Sequence, residues 1–273
     1  MTPLVDTHSH PQSRSFDRDR DAVVARARAA GVGTLIVVGT DPPSNRAALA
    51  MARAGRDMWA TIGFHPHDAA GITEADWEEL AATATDPLVV ALGEMGLDFF
   101  RNLSPHDVQQ AVFRRQLDLC ARLNMPAVVH SRNAEQATWD TLEPWSRQRR
   151  AAGGTEPFGV LHCYAYGSEA ALRYAHLGWM ISIPGTVTYP DNGRGRAVAA
   201  AVPLDHLVLE TDCPYLTPQS RRRTRNEPAY MVETLTEVAT LRGVPAADVA
   251  RATTANAWRL FRLPPGQASE SLG

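Results

Sequence analysis

The sequence contains no lysine, and all 27 of its basic residues are arginines. A Schiff-base nucleophile, a phosphate-binding P-loop lysine and a carbamylated lysine bridging two metal ions are therefore excluded. The formal net charge is −3, so no overall basic field attracts nucleic acid to the chain. Any binding of a polyanion has to come from a local cluster of arginines.

Cysteine is also scarce, and long apolar runs are missing. The three cysteines, Cys120, Cys163 and Cys213, form no Cys-x-x-Cys pair, which predicts reduced thiols and a cytoplasmic protein. No apolar run approaches the ~18 residues that a membrane span needs. The N-terminus also lacks the basic and apolar segments of a signal peptide. We therefore expect no membrane association, and no pattern indicates an obligate protein partner.

What the sequence does contain is a regular alternation of strand and helix patterns. Hydrophobic residues make up 44% of the chain and charged residues 21%, which fits a globular α/β protein. Eight such units predict a TIM-like (β/α)8 barrel over residues 1–263, followed by a short tail at residues 264–273. A doubly wound open sheet is the alternative. The predicted strands are residues 4–7, 34–38, 58–62, 88–92, 126–129, 159–161, 179–183 and 206–209.

Residue types that bind metals follow most of the predicted strands. His8 and His10 end the first strand, and side chains at positions i and i+2 of a strand point to the same face. The C-terminal ends of the strands form the rim where barrel active sites lie. This coincidence predicts a metal centre at the rim. The further candidates at strand ends are His65, Glu94, His130, His162 and Asp212.

The predicted ligands are nitrogen and oxygen atoms, a set that suits Zn²⁺, Mn²⁺ or Mg²⁺. Because they outnumber the ligands of one tetrahedral ion, we expect two divalent metal ions. With no lysine to carbamylate, a carboxylate must bridge them, and Glu94 lies between the two ligand groups. Two ions ~3.5–4 Å apart can stabilise both the attacking and the leaving oxygen in a displacement at phosphorus, and they acidify bound water.

Several short motifs, in order along the chain, resemble those of the TatD-type metal-dependent deoxyribonucleases of the amidohydrolase-like superfamily. They extend from near the start of the chain to past residue 228, and together they are highly specific. The matching stretches are Asp6-Thr7-His8-Ser9-His10, Gly63-Phe64-His65-Pro66, Gly93-Glu94-Met95-Gly96-Leu97-Asp98, Val129-His130-Ser131-Arg132, Leu161-His162-Cys163, Leu209-Glu210-Thr211-Asp212-Cys213-Pro214-Tyr215-Leu216 and Arg225-Asn226-Glu227-Pro228.

The resemblance implies a TIM-like barrel, a divalent metal centre and hydrolysis of phosphodiester bonds in DNA. The metal ligands that it implies are His8, His10, Glu94, His130, His162 and Asp212. The sequence departs from the family pattern in two places. The segment after His162 is longer by one residue and reads Cys163-Tyr164-Ala165-Tyr166-Gly167. Thr224 stands where the family usually has a lysine.

Further residues near these motifs are candidates for contacts with the substrate. Arginine suits bidentate phosphate contacts, and the alternative for the arginine run after the last strand is a solvated loop. Tyr164 and Tyr166 could stack on bases, Asp98 could orient a histidine ligand, and His67 is interpreted as a surface or loop residue. The candidate substrate-binding residues are His65, Arg221, Arg222, Arg223 and Arg225.

The sequence therefore predicts a divalent-metal-dependent hydrolase that cleaves phosphodiester bonds. The preferred hypothesis is a TatD-type deoxyribonuclease, exonuclease-like on single-stranded DNA. Its catalytic residues would be Glu94, Asp212 as general base, and His65 as a phosphate contact or proton donor. The alternatives are an amidohydrolase, lactonase or other hydrolase acting on a small molecule, and a barrel that binds a partner without catalysis.

Overall fold

Eight parallel strands, each hydrogen-bonded to the next one along the chain, form the centre of the computed structural model, which describes residues 2–264. This sequential order confirms the (β/α)8 prediction and excludes the doubly wound alternative, in which the strand order reverses. Of the predicted tail, only Pro264 belongs to the described residues. The strands are β1 (Leu4–Ser9), β2 (Val32–Val38), β3 (Met58–Ile62), β4 (Val89–Asp98), β5 (Ala127–Arg132), β6 (Gly159–Leu161), β7 (Trp179–Ile183) and β8 (Leu207–Leu209).

Helices connect the strands and cover the outside of the sheet. A buried layer of mainly aliphatic and aromatic side chains lies between strands and helices. None of the helices within residues 2–264 is long and apolar enough to cross a membrane. The α-helices are α1 (Arg20–Ala29), α2 (Pro42–Ala54), α3 (Glu74–Thr83), α4 (His106–Leu123), α5 (Glu135–Ala151), α6 (Ser168–His176), α7 (Gly193–Ala201), α8 (Met231–Arg242) and α9 (Ala246–Phe261).

A second apolar cluster takes one buried side chain or more from most of the strands and closes against the end of α9. Val128 of β5 and Val160 of β6 belong to this inner cluster. Because side chains alternate along a strand, the residues two positions further on, His130 and His162, face the same interior one layer higher. The period of the strands therefore places polar residues directly above the inner apolar core.

Hydrogen bonds close the seam between the first and the last strand at the C-terminal ends of the strands. The Thr7 hydroxyl donates to the carbonyl oxygen of Leu209 at 2.8 Å. Just beyond β8, the amide of Asp212 donates to the carbonyl oxygen of His8 at 2.9 Å. The closure of the barrel thus joins two residues predicted as metal ligands.

Candidate metal centre

The carboxylate of Glu94 lies at the centre of the rim, with each of its oxygens facing a different group of histidines. Its Oε1 atom lies 2.9 Å from His162 Nε2, 3.0 Å from His130 Nδ1 and 3.3 Å from His65 Nε2. Its Oε2 atom lies 3.3 Å from His8 Nε2 and 4.0 Å from His10 Nε2. One side chain therefore joins two sets of metal-ligand atoms.

Asp212 completes the second set. Its Oδ1 atom lies 3.4 Å from His10 Nε2 and 3.7 Å from His8 Nε2. The Asp212 side chain is 14% exposed and that of Glu94 only 5%. Of these two carboxylates, Asp212 is therefore the one more open to water at the mouth of the barrel.

The arrangement of these atoms fits a divalent metal. Two ligands ~2.1 Å from one tetrahedral ion lie ~3.4 Å from each other, close to the separations around Glu94. In each of three groups, the ligand atoms lie within 4.8 Å of one another. Imidazole nitrogens and carboxylate oxygens are ligands of Zn²⁺ and, with carboxylates dominant, of Mn²⁺ or Mg²⁺. The groups are His8 with Glu94 and His162, His8 with His10 and Asp212, and His65 with Glu94 and His130.

Most of these histidines are oriented through their second ring nitrogen. His10 Nδ1 lies 2.8 Å from the carbonyl oxygen of Val38, and His130 Nε2 lies 3.3 Å from Asp98 Oδ2. His162 Nδ1 lies 3.5 Å from the buried carboxylate of Glu210. Such contacts fix the ring and the nitrogen that faces the metal.

His67 lies in the loop after β3, as the sequence suggested, but it also contacts the residues of the centre. Its Nε2 atom lies 2.8 Å from Asp98 Oδ2, the same oxygen that contacts His130. Its ring packs edge-on against that of His65, with the centroids 4.2 Å apart. The spacing of His65 and His67, two positions apart around Pro66, could have predicted this contact, because it places both imidazoles on the same side of the turn.

Burial and the surrounding charges set the protonation states of the centre. Burial alone would raise the pKa of Glu94, but His162, His65 and His130 hold it well below its usual value. Burial likewise opposes ionisation of Asp212, yet its hydrogen bond with His10 and the nearby His8 lower its pKa. Both carboxylates are therefore ionised at neutral pH. Burial lowers the pKa of His65 to about 4, so this imidazole is neutral and suits a ligand better than a proton donor.

The family described as TatD related DNase matches residues 5–262. The chain belongs to this family. A Klebsiella pneumoniae (strain 342) protein named "3'-5' ssDNA/RNA exonuclease TatD" is 40% identical over 258 residues, which cover 92% of this chain and 95% of that protein.

Two further relatives of this TatD family chain agree with that assignment. A Bacillus subtilis (strain 168) protein named "Uncharacterized metal-dependent hydrolase YabD" is 36% identical over 260 residues, which cover 95% of this chain and 99% of that protein. The crystal structure of YjjV, a TatD homolog from Escherichia coli K12, superposes with a TM-score of 0.89 at 30% identity and covers 96% of this chain and 99% of that one. The resemblance inferred from the motifs is thereby confirmed.

The Asn226-Glu227 pair of the last TatD motif lies below the rim. Asn226 is buried, and its Nδ2 atom donates to the carbonyl oxygens of Thr211, at 2.8 Å, and Tyr215, at 2.6 Å. The Glu227 carboxylate accepts bonds from Arg26 Nε at 2.8 Å and Nη2 at 2.6 Å. The motif thus ties the loop that carries Asp212 to α1 and has no direct contact with the ligand atoms.

The four candidate arginines after β8 have different surroundings. Arg225 donates to both carboxylate oxygens of Asp19, at 2.9 and 2.7 Å, and Arg221 lies 3.1 Å from Glu233. Arg222 stacks on Tyr189 at 4.5 Å. Neither Arg222 nor Arg223 forms an ion pair with any residue in the described part of the chain.

The lengthened segment after β6 does not supply the stacking surface that the sequence suggested. Tyr164 is 5% exposed and Tyr166 is 9% exposed, and both belong to the buried core. The Tyr166 hydroxyl accepts a bond from the amide of Ala134 at 3.1 Å and lies 2.8 Å from the Ser131 hydroxyl. Both rings are buried, with Tyr166 held against the end of β5 and the loop that follows it, so neither can stack on a base.

Proposed function

We propose that this TatD family protein hydrolyses phosphodiester bonds of single-stranded nucleic acid with the help of divalent metal ions. The observation that carries the proposal is the position of Glu94, whose two carboxylate oxygens face two different sets of imidazoles. A single metal site would need only one of these sets. A bridging carboxylate between two ions is the arrangement that a displacement at phosphorus uses.

The residues that would hold the metals are those of the rim. One set would comprise His8, His10 and Asp212, and the other His130 and His162. Glu94 would be shared, because its Oε2 atom faces His8 and its Oε1 atom faces His130 and His162; His65 borders the second set. Divalent ions at such a site acidify water and stabilise charge on the attacking and leaving oxygens of a phosphodiester. Zn²⁺, Mn²⁺ and Mg²⁺ are all compatible with these donors.

The side chains contribute in distinct ways to the proposed reaction. Asp212 is ionised and partly exposed, so the carboxylate oxygen that does not face His8 and His10 can accept a proton from the attacking water. Asp98 and Glu210 hold the histidines in orientation. His65 is neutral and buried, which favours a ligand or hydrogen-bonding role over proton donation. Of the four candidate arginines after β8, Arg222 and Arg223 form no ion pair within the described residues and are available for phosphate oxygens.

The names of the relatives support this substrate class. The Klebsiella relative is named an exonuclease acting 3′ to 5′ on single-stranded DNA and RNA, and we propose the same polarity here. Hydrolysis of a small cyclic amide or lactone, and binding without catalysis, are not favoured by these relatives. The metal-ligand set at an open barrel mouth also argues against a role in binding alone.

The deciding experiment follows the digestion of a single-stranded oligonucleotide labelled at either end. The protein is stripped with a chelator and reloaded separately with Zn²⁺, Mn²⁺ or Mg²⁺. A 3′-to-5′ exonuclease converts the 5′-labelled strand into a descending ladder and releases the 3′ label at once as a mononucleotide. Loss of activity with chelator and recovery with metal are expected. Equal activity before and after complete metal removal would contradict the proposal.

We also propose that residues 1–263 act as one domain in the cytoplasm. The three cysteines, Cys120, Cys163 and Cys213, are all free thiols in the structure. Free thiols are typical of proteins in a reducing compartment.

A further inference from the structure

Two aromatic rings stand out at the mouth of the barrel because they are exposed. Phe100 is 54% exposed and Tyr215 is 61% exposed. No other tryptophan, tyrosine or phenylalanine within residues 2–264 is comparably exposed. Exposing a large aromatic ring to water is unfavourable. Phe100 lies in the turn after β4, which carries Glu94, and Tyr215 lies three residues after Asp212. This placement points to a ligand with flat apolar faces.

The position of Tyr215 is fixed by the metal centre. Its amide donates to the carbonyl oxygen of Asp212 at 2.9 Å, and its own carbonyl oxygen accepts the bond from buried Asn226 at 2.6 Å. Its ring lies edge-on to the ring of His10, with the centroids 6.5 Å apart. The ring is therefore held beside the His8, His10 and Asp212 group.

Phe100 is held by the other side of the centre. Its amide donates to Asp98 Oδ1 at 2.9 Å, and the second oxygen of Asp98 contacts His130. The guanidinium carbon of Arg132 lies 4.0 Å from the centroid of the Phe100 ring. One face of this ring is thus covered by a cation that suits a phosphate, and the ring is still more than half exposed.

The order of the strands places the two turns that carry these rings on opposite sides of the barrel mouth. Phe100 follows β4 and Tyr215 follows β8, and these strands are four positions apart in an eight-stranded barrel of sequential order. Glu94 and its imidazoles lie between them. A chain of nucleotides crossing the mouth would place its scissile phosphate over the centre and a base on each side near one of the rings.

We propose that Tyr215 and Phe100 are the base-stacking residues of the substrate site, one on each side of the scissile phosphodiester. This inference rests on the proposed function and specifies how the substrate is held. Bases in a duplex are already paired and stacked, so two separate rings can receive them only from a single strand. The rings accept any base, because every base has a flat π-face. They would therefore select for single strands and not for sequence.

The test measures kcat and KM of the metal-loaded enzyme on a single-stranded oligonucleotide for Tyr215→Ala and Phe100→Ala. Loss of one base–aromatic stack should raise KM about tenfold with a smaller change in kcat. Tyr215→Phe and Phe100→Tyr keep a ring and should stay within about twofold of the wild type. Leu172→Ala is the matched control, because Leu172 is 40% exposed on α6, outside the barrel mouth.

A second arm replaces the base with an abasic site on one side of the scissile bond. The abasic site should raise the KM of the wild type about tenfold. It should add little to the KM of the alanine variant that has already lost the ring on that side. Unchanged KM in both alanine variants would overturn the proposal. An effect confined to one ring would overturn the two-sided arrangement.

Hydrolysis of bis(p-nitrophenyl) phosphate, which has no bases, separates this proposal from the proposed function. If the enzyme hydrolyses this compound with metal, but Tyr215→Ala and Phe100→Ala leave the KM for oligonucleotides unchanged, the base-stacking proposal is overturned. The proposal that the protein is a phosphodiesterase would still stand. Hydrolysis of neither substrate by the metal-loaded enzyme would overturn both.

Discussion

The backbone amide of Asp212 donates a hydrogen bond of 2.9 Å to the carbonyl oxygen of His8, across 204 positions of the chain. Both residues also offer side-chain atoms to the same candidate metal group. The bond that closes the barrel seam and the contact that would hold a metal therefore belong to the same pair of residues. Assembly of the metal centre requires closure of the barrel.

Removal of residues 2–10 should unfold the barrel and not merely remove metal ligands. The deletion takes away all of β1, whose six residues are all buried, and it exposes the pairing edges of β2 and β8. We expect loss of the cooperative thermal transition, measured by circular dichroism.

His8→Ala is the control for that deletion. It keeps the backbone bond to Asp212 and removes only the imidazole, so a cooperative transition should remain while metal binding weakens. A deletion variant that still unfolds cooperatively near the melting temperature of the wild type would show that the barrel folds without β1. That result would contradict the claim that assembly of the metal centre requires closure of the barrel between β1 and β8.

Glu94→Gln and Asp212→Asn should inactivate the enzyme while leaving the fold intact. Each change keeps the shape of the side chain but replaces an anionic ligand among imidazoles with a neutral amide, which binds divalent ions poorly. We expect kcat/KM on a single-stranded oligonucleotide to fall by at least about 10²–10³-fold, the scale for loss of one key charge-stabilising group. Metal content by elemental analysis should fall in parallel, most of all for Glu94→Gln, since Glu94 belongs to two of the three groups and Asp212 to one.

Asn192→Ala is a useful comparison for these two variants. Asn192 caps α7 by accepting a bond from the amide of Gly195 at 3.0 Å, so its loss should lower stability by roughly 1 kcal/mol without affecting metal content. Full metal-dependent activity in both Glu94→Gln and Asp212→Asn would contradict the assigned centre.

Asp98→Ala should weaken metal binding although Asp98 is not among the grouped ligands. Its Oδ2 atom contacts both His130 and His67, and its Oδ1 atom accepts the amides of Phe100 and Arg101. Loss of such an orienting carboxylate typically costs 10–100-fold in metal affinity. Competition with a chromogenic chelator measures this change. An unchanged metal affinity would mean that Asp98 only stabilises the loop of Phe100 and Arg101 and does not orient a metal ligand.

The period of the strands explains why much of the site could be predicted from sequence. Side chains alternate along each strand, so His130 and His162, each directly after an apolar run, had to face the barrel mouth. The same reasoning predicted the strand after residue 57 with the observed bounds, Met58–Ile62. It could not predict which ring nitrogen each histidine presents, since that depends on partners such as Asp98 and Glu210.

The predictions for loops were weaker because the side chains of a loop do not alternate regularly between two faces as those of a strand do. Tyr164 and Tyr166 are aromatic residues in a loop near the predicted site, but both rings are buried in the core, and the Tyr166 hydroxyl bonds to Ser131 and Ala134. Conversely, Tyr215 lay within a recognised motif without any sign that its ring is exposed. The pairing of Arg225 with Asp19, on a segment 206 residues away, is likewise visible only in three dimensions.

The arginines after β8 should separate into two functional classes. Arg222 and Arg223 form no ion pairs in the described part of the chain, so Arg222→Ala combined with Arg223→Ala should weaken the binding of single-stranded DNA. The slope of log K against log salt should decrease by about 0.7 for each phosphate that the variant no longer neutralises. Arg225→Ala breaks the pair with Asp19 and should lower the melting temperature, with little effect on the salt slope. Equal salt slopes for the wild type and the double variant would contradict phosphate binding by this loop.

The cysteines should be protected from thiol reagents in the folded protein. Burial raises the pKa of the Cys120 and Cys213 thiols, so the thiolate, the reactive form, does not accumulate at pH 8. Cys163 is the only one of the three with partial exposure, and burial together with the charges of Glu210 and Asp212 raises its pKa as well. Titration with dithionitrobenzoate should detect at most one thiol in the native protein and three after denaturation. Cys163→Ser should remove any native reactivity, and rapid labelling of two or more native thiols would show that the packing around Cys120 or Cys213 opens readily.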